Sequence, residues 1–439
     1  MVFMKKSEFL QDFFSVLNDS LDYFVYGYYK NLPQDTGMSD IDIIIDPSCE
    51  KKFLKLFKDF MTNHSAFVAS HFGRHLYRII NNNPKEPWGV QIDVFCQGFC
   101  HHEVEYFPRS YVKESIIEYN GIKVLDEKRG YYVDFLKEII HGVKVKQKYI
   151  NAFSELIEGN KAKYLAELEF LYGKRFRSMV ETGLAARNYN CEALKKEMRK
   201  AVHHRTLFKD INSILHRILR FFNPSLGYVI AVLGTDGSGK SAVIEAVTPW
   251  LNEAFHNGIR YNHLRPNLLK PLGVVTGRRK DEPISVVPNP HAKKAAGFFV
   301  SLIKWFYNLT DYTFGYLVKV WTRISTKSEV FLFDRYYYDY YIDQKRFGIH
   351  LPKWLIRVGD FFVPKPDLII CLGGNPEIIY ERKPETSLEE VRRQINELRH
   401  FAQKHKNAVM IDTTIPFEKT IVEVRKAIIQ TMSTRFSKM

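Results

Sequence analysis

The run Gly234-Thr235-Asp236-Gly237-Ser238-Gly239-Lys240-Ser241 fits G-x-x-x-x-G-K-[ST] without a mismatch. Residue types at that spacing hold polyphosphate. Glycines let backbone N–H groups converge on an anion, and the N-terminus of a following helix adds a favourable dipole. Lys240 is then the candidate for the β/γ-phosphates of ATP and Ser241 for Mg²⁺, with Gly234, Asp236, Gly237, Ser238 and Gly239 forming the cradle. A second constellation follows at Asp334-Arg335-Tyr336, with Asp339 and Asp343 close behind. A carboxylate at the end of a strand can serve Mg²⁺ or an incoming hydroxyl, and an adjacent arginine can clamp a phosphoryl group. A third stands near the start of the chain, where Asp40 and Asp42 alternate with apolar residues and so project to one face, with Asp93 in a later run of the same kind.

Elements must position these groups. Tyr228 to Leu233 reads as a buried strand and Ala242 to Val247 as the start of a helix, which is the setting a phosphate loop needs. Glu329 to Phe333 and Pro366 to Leu372 read as further strands, and Val409 to Asp412 as the last one. Asn375-Pro376 caps a helix that runs into Arg382-Lys383, and Ser387 to Glu390 is a capping box for another. A charged helical hairpin there would close over a triphosphate, with Arg382 facing the transferring group. Strand and helix alternating from Gly227 onward imply a parallel sheet with covering helices, hence an α/β domain over 225–439.

Residues 1–128 mix short strand-like runs (Phe24–Gly27, Asp40–Ile45, Leu76–Ile80, Val90–Phe95) with an amphipathic segment at Lys51–Phe60, an α+β pattern. Residues 129–224 read as a helical connector, with breaks expected at Gly159, Gly173 and Gly183. Leu207 to Phe222 keeps an apolar stripe flanked by Arg205, Arg217 and Arg220, a helix suited either to packing on a domain or to peripheral contact with a membrane.

At 439 residues the chain is long for a single core, and 45% hydrophobic with 14% aromatic content describes a globular protein. A formal net charge of +15 points to anionic partners. Lysine and arginine are spread without a recognition motif, which argues against nucleic acid. Five cysteines without paired spacing fit a reducing cytoplasm, at or near the inner face of a membrane. Cys96 and Cys100 near His101 and His102 have no second ligand pair, so they are expected to pack. Glu8 and Asp12 interrupt any leader-like apolar core, and Lys304, Asp311 and Lys319 interrupt the longest apolar stretch.

The G-T-D-G-S-G-K-S loop, the D-R-Y strand end, the P-D-L strand and the R-K-bearing lid together resemble the thymidylate kinase superfamily of P-loop kinases, from Gly227 to the end. The resemblance implies ATP and Mg²⁺ at Lys240 and Ser241. It also implies metal or acceptor at Asp334, acceptor at Arg335 and Asp236, and a lid at Arg382; Arg265 and Asp343 are further candidates for the acceptor. The departures lie on the acceptor side. His263-Leu264-Arg265-Pro266-Asn267 replaces an arginine-glutamate-proline-glycine motif, and Tyr337-Tyr338-Asp339-Tyr340-Tyr341-Ile342-Asp343 replaces the run that recognises the base. These segments look more like a divergent branch of thymidylate kinase-like proteins associated with bacterial surface-polysaccharide synthesis. Tyr336, Tyr337, Tyr338, Tyr340 and Tyr341 are available to stack on sugar faces or to fill the core.

Gly27 ahead of Asp40, Asp42 and Asp93 resembles a polymerase-β-like nucleotidyltransferase, in which three carboxylates hold divalent ions, although Tyr28 stands where that family has a serine or glycine. The expected protein is a P-loop kinase moving the γ-phosphoryl group of ATP to a carbohydrate or glycolipid acceptor, fused to a nucleotidyltransferase-like domain. Two rival expectations are a nucleoside-monophosphate kinase and nucleotidyl transfer by the N-terminal domain.

Overall fold

The computed structural model describes residues 4–72, 76–101, 104–203, 215, 218–219, 221–222, 227–275, 277 and 296–435. The chain divides into two compact units. One comprises Met1–Ala66, His71–Ile79 and Val90–Leu219; the other comprises Phe67–Ser70, Ile80–Gly89 and Arg220–Met439. Among the described residues, no helix is long and apolar enough to cross a membrane. Of the stripe at 207–222, residues 215, 218, 219, 221 and 222 are described, and all five are exposed.

The first unit is built on most of a mixed seven-stranded sheet. Its strands are β1 (Tyr23–Tyr26), β2 (Ile41–Ile45), β3 (Ala66–Phe72), β4 (Leu76–Asn81) and β5 (Gly89–Phe95). A small hairpin of β6 (Phe99–His101) and β7 (Val104–Phe107) follows, then β8 (Ile116–Tyr119) and β9 (Ile122–Leu125). The order across the sheet is β3-β4-β5-β2-β1-β9-β8, with β1 antiparallel to β2 and β2 parallel to β5. The four strand-like runs of the sequence appear as β1, β2, β4 and β5, and the amphipathic segment as a helix over Glu50–Asn63.

Helices over Glu127–His141, Gln147–Gly159, Lys161–Tyr172, Lys174–Leu184 and Cys191–His203 follow. They share one core with the sheet: Phe24 and Tyr26 of β1 join Tyr132, Phe135, Leu136 and Phe153 of the first two helices. The reason lies in Glu127–His141, which buries six apolar side chains and can satisfy them only against both the sheet and its helical neighbours. At roughly 1.5–3 kcal/mol for each large apolar side chain, that burial binds the helices to the sheet.

The second unit is a five-stranded, all-parallel sheet of β10 (Tyr228–Gly234), β11 (Ile259–His263), β12 (Val330–Asp334), β13 (Leu368–Gly373) and β14 (Ala408–Asp412). Its order is β11-β12-β10-β13-β14. β10, β12 and β13 are buried along their whole length, as unbroken apolar runs covered on both faces must be. One core layer packs Val243, Val247 and Leu251 of the helix Lys240–Ala254 on the sheet; the opposite layer packs Trp305, Tyr312, Tyr316 and the tyrosines after β12. The expected α/β architecture with a parallel sheet is therefore observed.

Candidate functional site

β10 is central and ends at Gly234, so the loop that follows opens at the carboxyl edge of the sheet, beside the ends of its neighbours β12 and β13. Open parallel sheets bind ligands at that edge, where strand order reverses. Gly237 holds φ +83, and a Cβ there would sit 2.6 Å from the Ile379 carbonyl. Only glycine fits. Gly239 caps the helix Lys240–Ala254, and Ser241 is exposed in its first turn. Lys240 folds back to donate to the carbonyls of Gly234 (3.1 Å) and Thr235 (2.8 Å). Burial, aided by the Arg335 charge and opposed by Asp236, Asp334 and Asp339, pushes its ammonium down to about 7.

Asp334 lies where β12 reaches the same edge, in register with Val232 of β10 and His263 of β11. Tyr261 donates to its Oδ2 (3.2 Å), and Nδ1 of His263 stands 3.6 Å from that oxygen. Its Oδ1 is buried without a hydrogen-bond partner. Burial alone would raise the Asp334 carboxyl, yet the His263 hydrogen bond and the Lys240 charge outweigh it and hold it below the usual range. An ionised, half-satisfied carboxylate beside a phosphate loop, with the Ser241 hydroxyl exposed nearby, is a donor set that fits a hard divalent cation.

From Arg335 an ionic chain runs behind the loop. Arg335 has φ +72, costly for a side chain with a Cβ, by about 1–3 kcal/mol. Its fork reaches Asp339 (2.7 Å) and Asp236 (2.8 Å). Arg346 pairs with the other oxygen of Asp236 and stands 3.6 Å from Asp343. Burial raises Asp339 despite Arg335, whereas Asp236 is drawn below its ordinary range, its burial outweighed by Arg335 and Arg346. The structure thus brings Asp236, Asp334, Arg335, Asp339, Lys240 and Asp343 together.

Two expected residues lie apart from that chain. Arg265 is buried, 3.3 Å from Asp311, whose carboxylate also accepts from the backbone of Asn267, Leu268 and Leu269. Arg382, exposed at the end of Pro376–Arg382, donates to the Thr413 carbonyl. Its neighbour Lys383 lies at the loop, with its Cβ 3.2 Å from where a Cβ on Gly237 would lie. Tyr336, Tyr337, Tyr338 and Tyr340 are fully buried and face the core instead of a ligand. Sequence reasoning gave no role to Arg346, His263 or Tyr261, which meet their partners only in the fold.

No family model matches the chain, and no curated protein matches it. Among solved structures it is similar to a thymidylate kinase from Ehrlichia chaffeensis, at 16% identity and TM-score 0.33, over 46% of this chain and 98% of that chain. A likeness at that distance carries no functional argument. The loop, the strand order and the charges around Lys240 do.

The first unit holds the third constellation. Asp42 of β2 is in register with Asp93 of β5, and oxygens of Asp40, Asp42 and Asp93 lie within 4.8 Å of one another. Burial, then the charges of Asp40 and Asp93, raise Asp42 well above the carboxylate range; burial and Asp40 push Asp93 up to about 7. Carboxylates forced together in a partly dry place resist ionising, and a divalent cation would relieve all three. A cavity of about 200 Å³ lies at the end of β1, lined by Gly27, Tyr28, Lys30, Tyr131, Asp134 and Lys148 among others.

Proposed function

We propose that the second unit transfers the γ-phosphoryl group of ATP to a hydroxyl of a carbohydrate-type acceptor. The observation that carries this reading is the buried Lys240 at the head of the phosphate loop, ringed by Asp236, Asp334 and Asp339. In the reaction Lys240 leaves the loop carbonyls for the β/γ-phosphates, which restores a full positive charge to an ammonium that burial has weakened. Mg²⁺, held by Ser241 and Asp334, would neutralise charge on the phosphate oxygens. His263 takes the acceptor proton on its free ring nitrogen while Asp334 orients the ring from Nδ1.

Charge balance supports this acceptor class. Arg335 and Arg346 are both committed to Asp236, Asp339 and Asp343, three carboxylates against two guanidinium groups. No surplus cation remains in that chain to clamp a monophosphate, whereas a sugar hydroxyl needs none. Arg265, tied to Asp311, shapes the acceptor wall.

A second reading concerns the first unit alone: Asp40, Asp42 and Asp93 favour a divalent-metal site used for nucleotidyl transfer, with the cavity at Gly27 as its nucleotide pocket. The test is incubation of the full chain with γ-labelled ATP and a panel of sugars, glycolipids and nucleoside monophosphates. Label in a saccharide supports the proposal. Efficient labelling of thymidine monophosphate would replace it with a nucleotide kinase, and label retained in ATP under all acceptors would remove it.

A further inference from the structure

The helix Lys353–Asp360 and the two residues after it present one exposed face. Trp354 is 63% exposed, Val358 49%, Phe361 85% and Phe362 58%, at positions that recur every fourth residue or beside it. Exposed Arg357 stands between them, and Lys365 follows. The helix Phe298–Thr310 lies against this one: Trp305 donates to the Tyr337 hydroxyl (3.0 Å), which in turn donates to the Ile356 carbonyl (2.8 Å). It too exposes aromatic residues, Phe299 at 78% and Phe306 at 64%.

Aromatic side chains so fully in water are costly, and two neighbouring helices carrying them make a patch that asks for an occupant. Exposed Arg357 and Lys365 flank the Trp354–Phe362 face, and the chain carries +15 overall. A second copy of the chain is a poor partner, because a two-fold interface would bring the same cations face to face. Protruding tryptophan and phenylalanine with arginine and lysine beside them match instead the boundary layer of a bilayer, where rings enter the acyl region and cations meet anionic headgroups.

We propose that the surface formed by Trp354, Val358, Phe361 and Phe362, extended by Phe299 and Phe306, docks the protein on an anionic membrane. The docking does not depend on the reaction proposed above.

The test is sedimentation of the full chain with vesicles of phosphatidylcholine alone or mixed with phosphatidylglycerol. The doubly substituted Phe361→Ser, Phe362→Ser protein and Arg357→Glu serve as comparisons, with circular dichroism to verify folding. These side chains are exposed and should fold normally. The expected result is binding to the mixed vesicles, weakened by salt, and at least tenfold weaker for the double variant. Failure to bind mixed vesicles, or equal binding by the double variant, would overturn the proposal. So would concentration-dependent dimerisation that the double variant abolishes, since the face would then belong to a second copy.

Discussion

Asp334 and Asp236 are both carboxylates at one loop, and they are set to do different things. Asp334 keeps one oxygen without a partner and offers the other to Tyr261 and His263, and Asp334→Asn removes its charge. The expected outcome is a fall in turnover on the order of 10²-fold with ATP affinity little changed, read from steady-state kinetics beside direct nucleotide titration. Loss of affinity at unchanged saturated turnover would place Asp334 outside the reaction centre. Asp236 holds two arginines, one of them almost completely buried. Asp236→Asn leaves Arg335 half-paired, and a destabilisation of roughly 3 kcal/mol is expected in chemical unfolding. The loop residues were legible in the sequence, because a phosphate cradle is a contiguous motif whose glycines and lysine sit at fixed offsets. Arg346 and His263 were not. Each meets its partner only through folding, Arg346 across 110 residues to Asp236, and nothing local marks such a pair.

At the scale of elements, the phosphate loop and the helical hairpin of Pro376–Arg382 and Leu388–Lys404 are fitted to each other at Gly237. Gly237→Ala meets two obstacles, a left-handed φ that costs about 1–2 kcal/mol for a residue with a Cβ and the Ile379 carbonyl. The hairpin should be displaced, so that the variant binds ATP several-fold more weakly and protease cleavage between Lys383 and Ser387 becomes faster. Unchanged affinity and cleavage would show that loop and hairpin are independent. The hairpin itself was readable, since Asn375 and Ser387 cap their helices as their side chains suggest. Strands β3 and β6 to β9 were not, because they are short or lack strict alternation and are held by sheet neighbours distant in sequence. The tyrosines after β12 stayed ambiguous for a related reason: aromatic type is the same for a sugar platform and for a core layer, and only burial separates them.

The whole molecule joins two units, each with its own group of close carboxylates. Asp42→Asn should abolish the rise in melting temperature that Mn²⁺ produces in the first unit while leaving Lys240-dependent turnover intact. Binding of that ion should also depend on pH in a definite direction. Asp93 titrates near about 7 because burial and Asp40 disfavour its charge, so metal must displace a proton and affinity rises as pH rises through that value. Without metal the sign reverses for stability: the folded carboxyl keeps a proton that the unfolded chain has released, so this group's contribution falls as pH climbs from the ordinary aspartate range toward 7. Metal affinity independent of pH across that window would contradict the shared site.

The central claim is that the phosphate loop of the second unit delivers the γ-phosphoryl group. It is tested most directly by following γ-labelled ATP in the presence of the saccharide and glycolipid panel, for the intact chain, Lys240→Ala and Asp42→Asn side by side. The account predicts label recovered in a hydroxyl-bearing product with matching release of ADP, lost by at least about 10²-fold in Lys240→Ala and preserved in Asp42→Asn. Label transfer to the product that survives Lys240→Ala would contradict it, whereas label released as pyrophosphate and lost with Asp42→Asn would place the chemistry in the first unit.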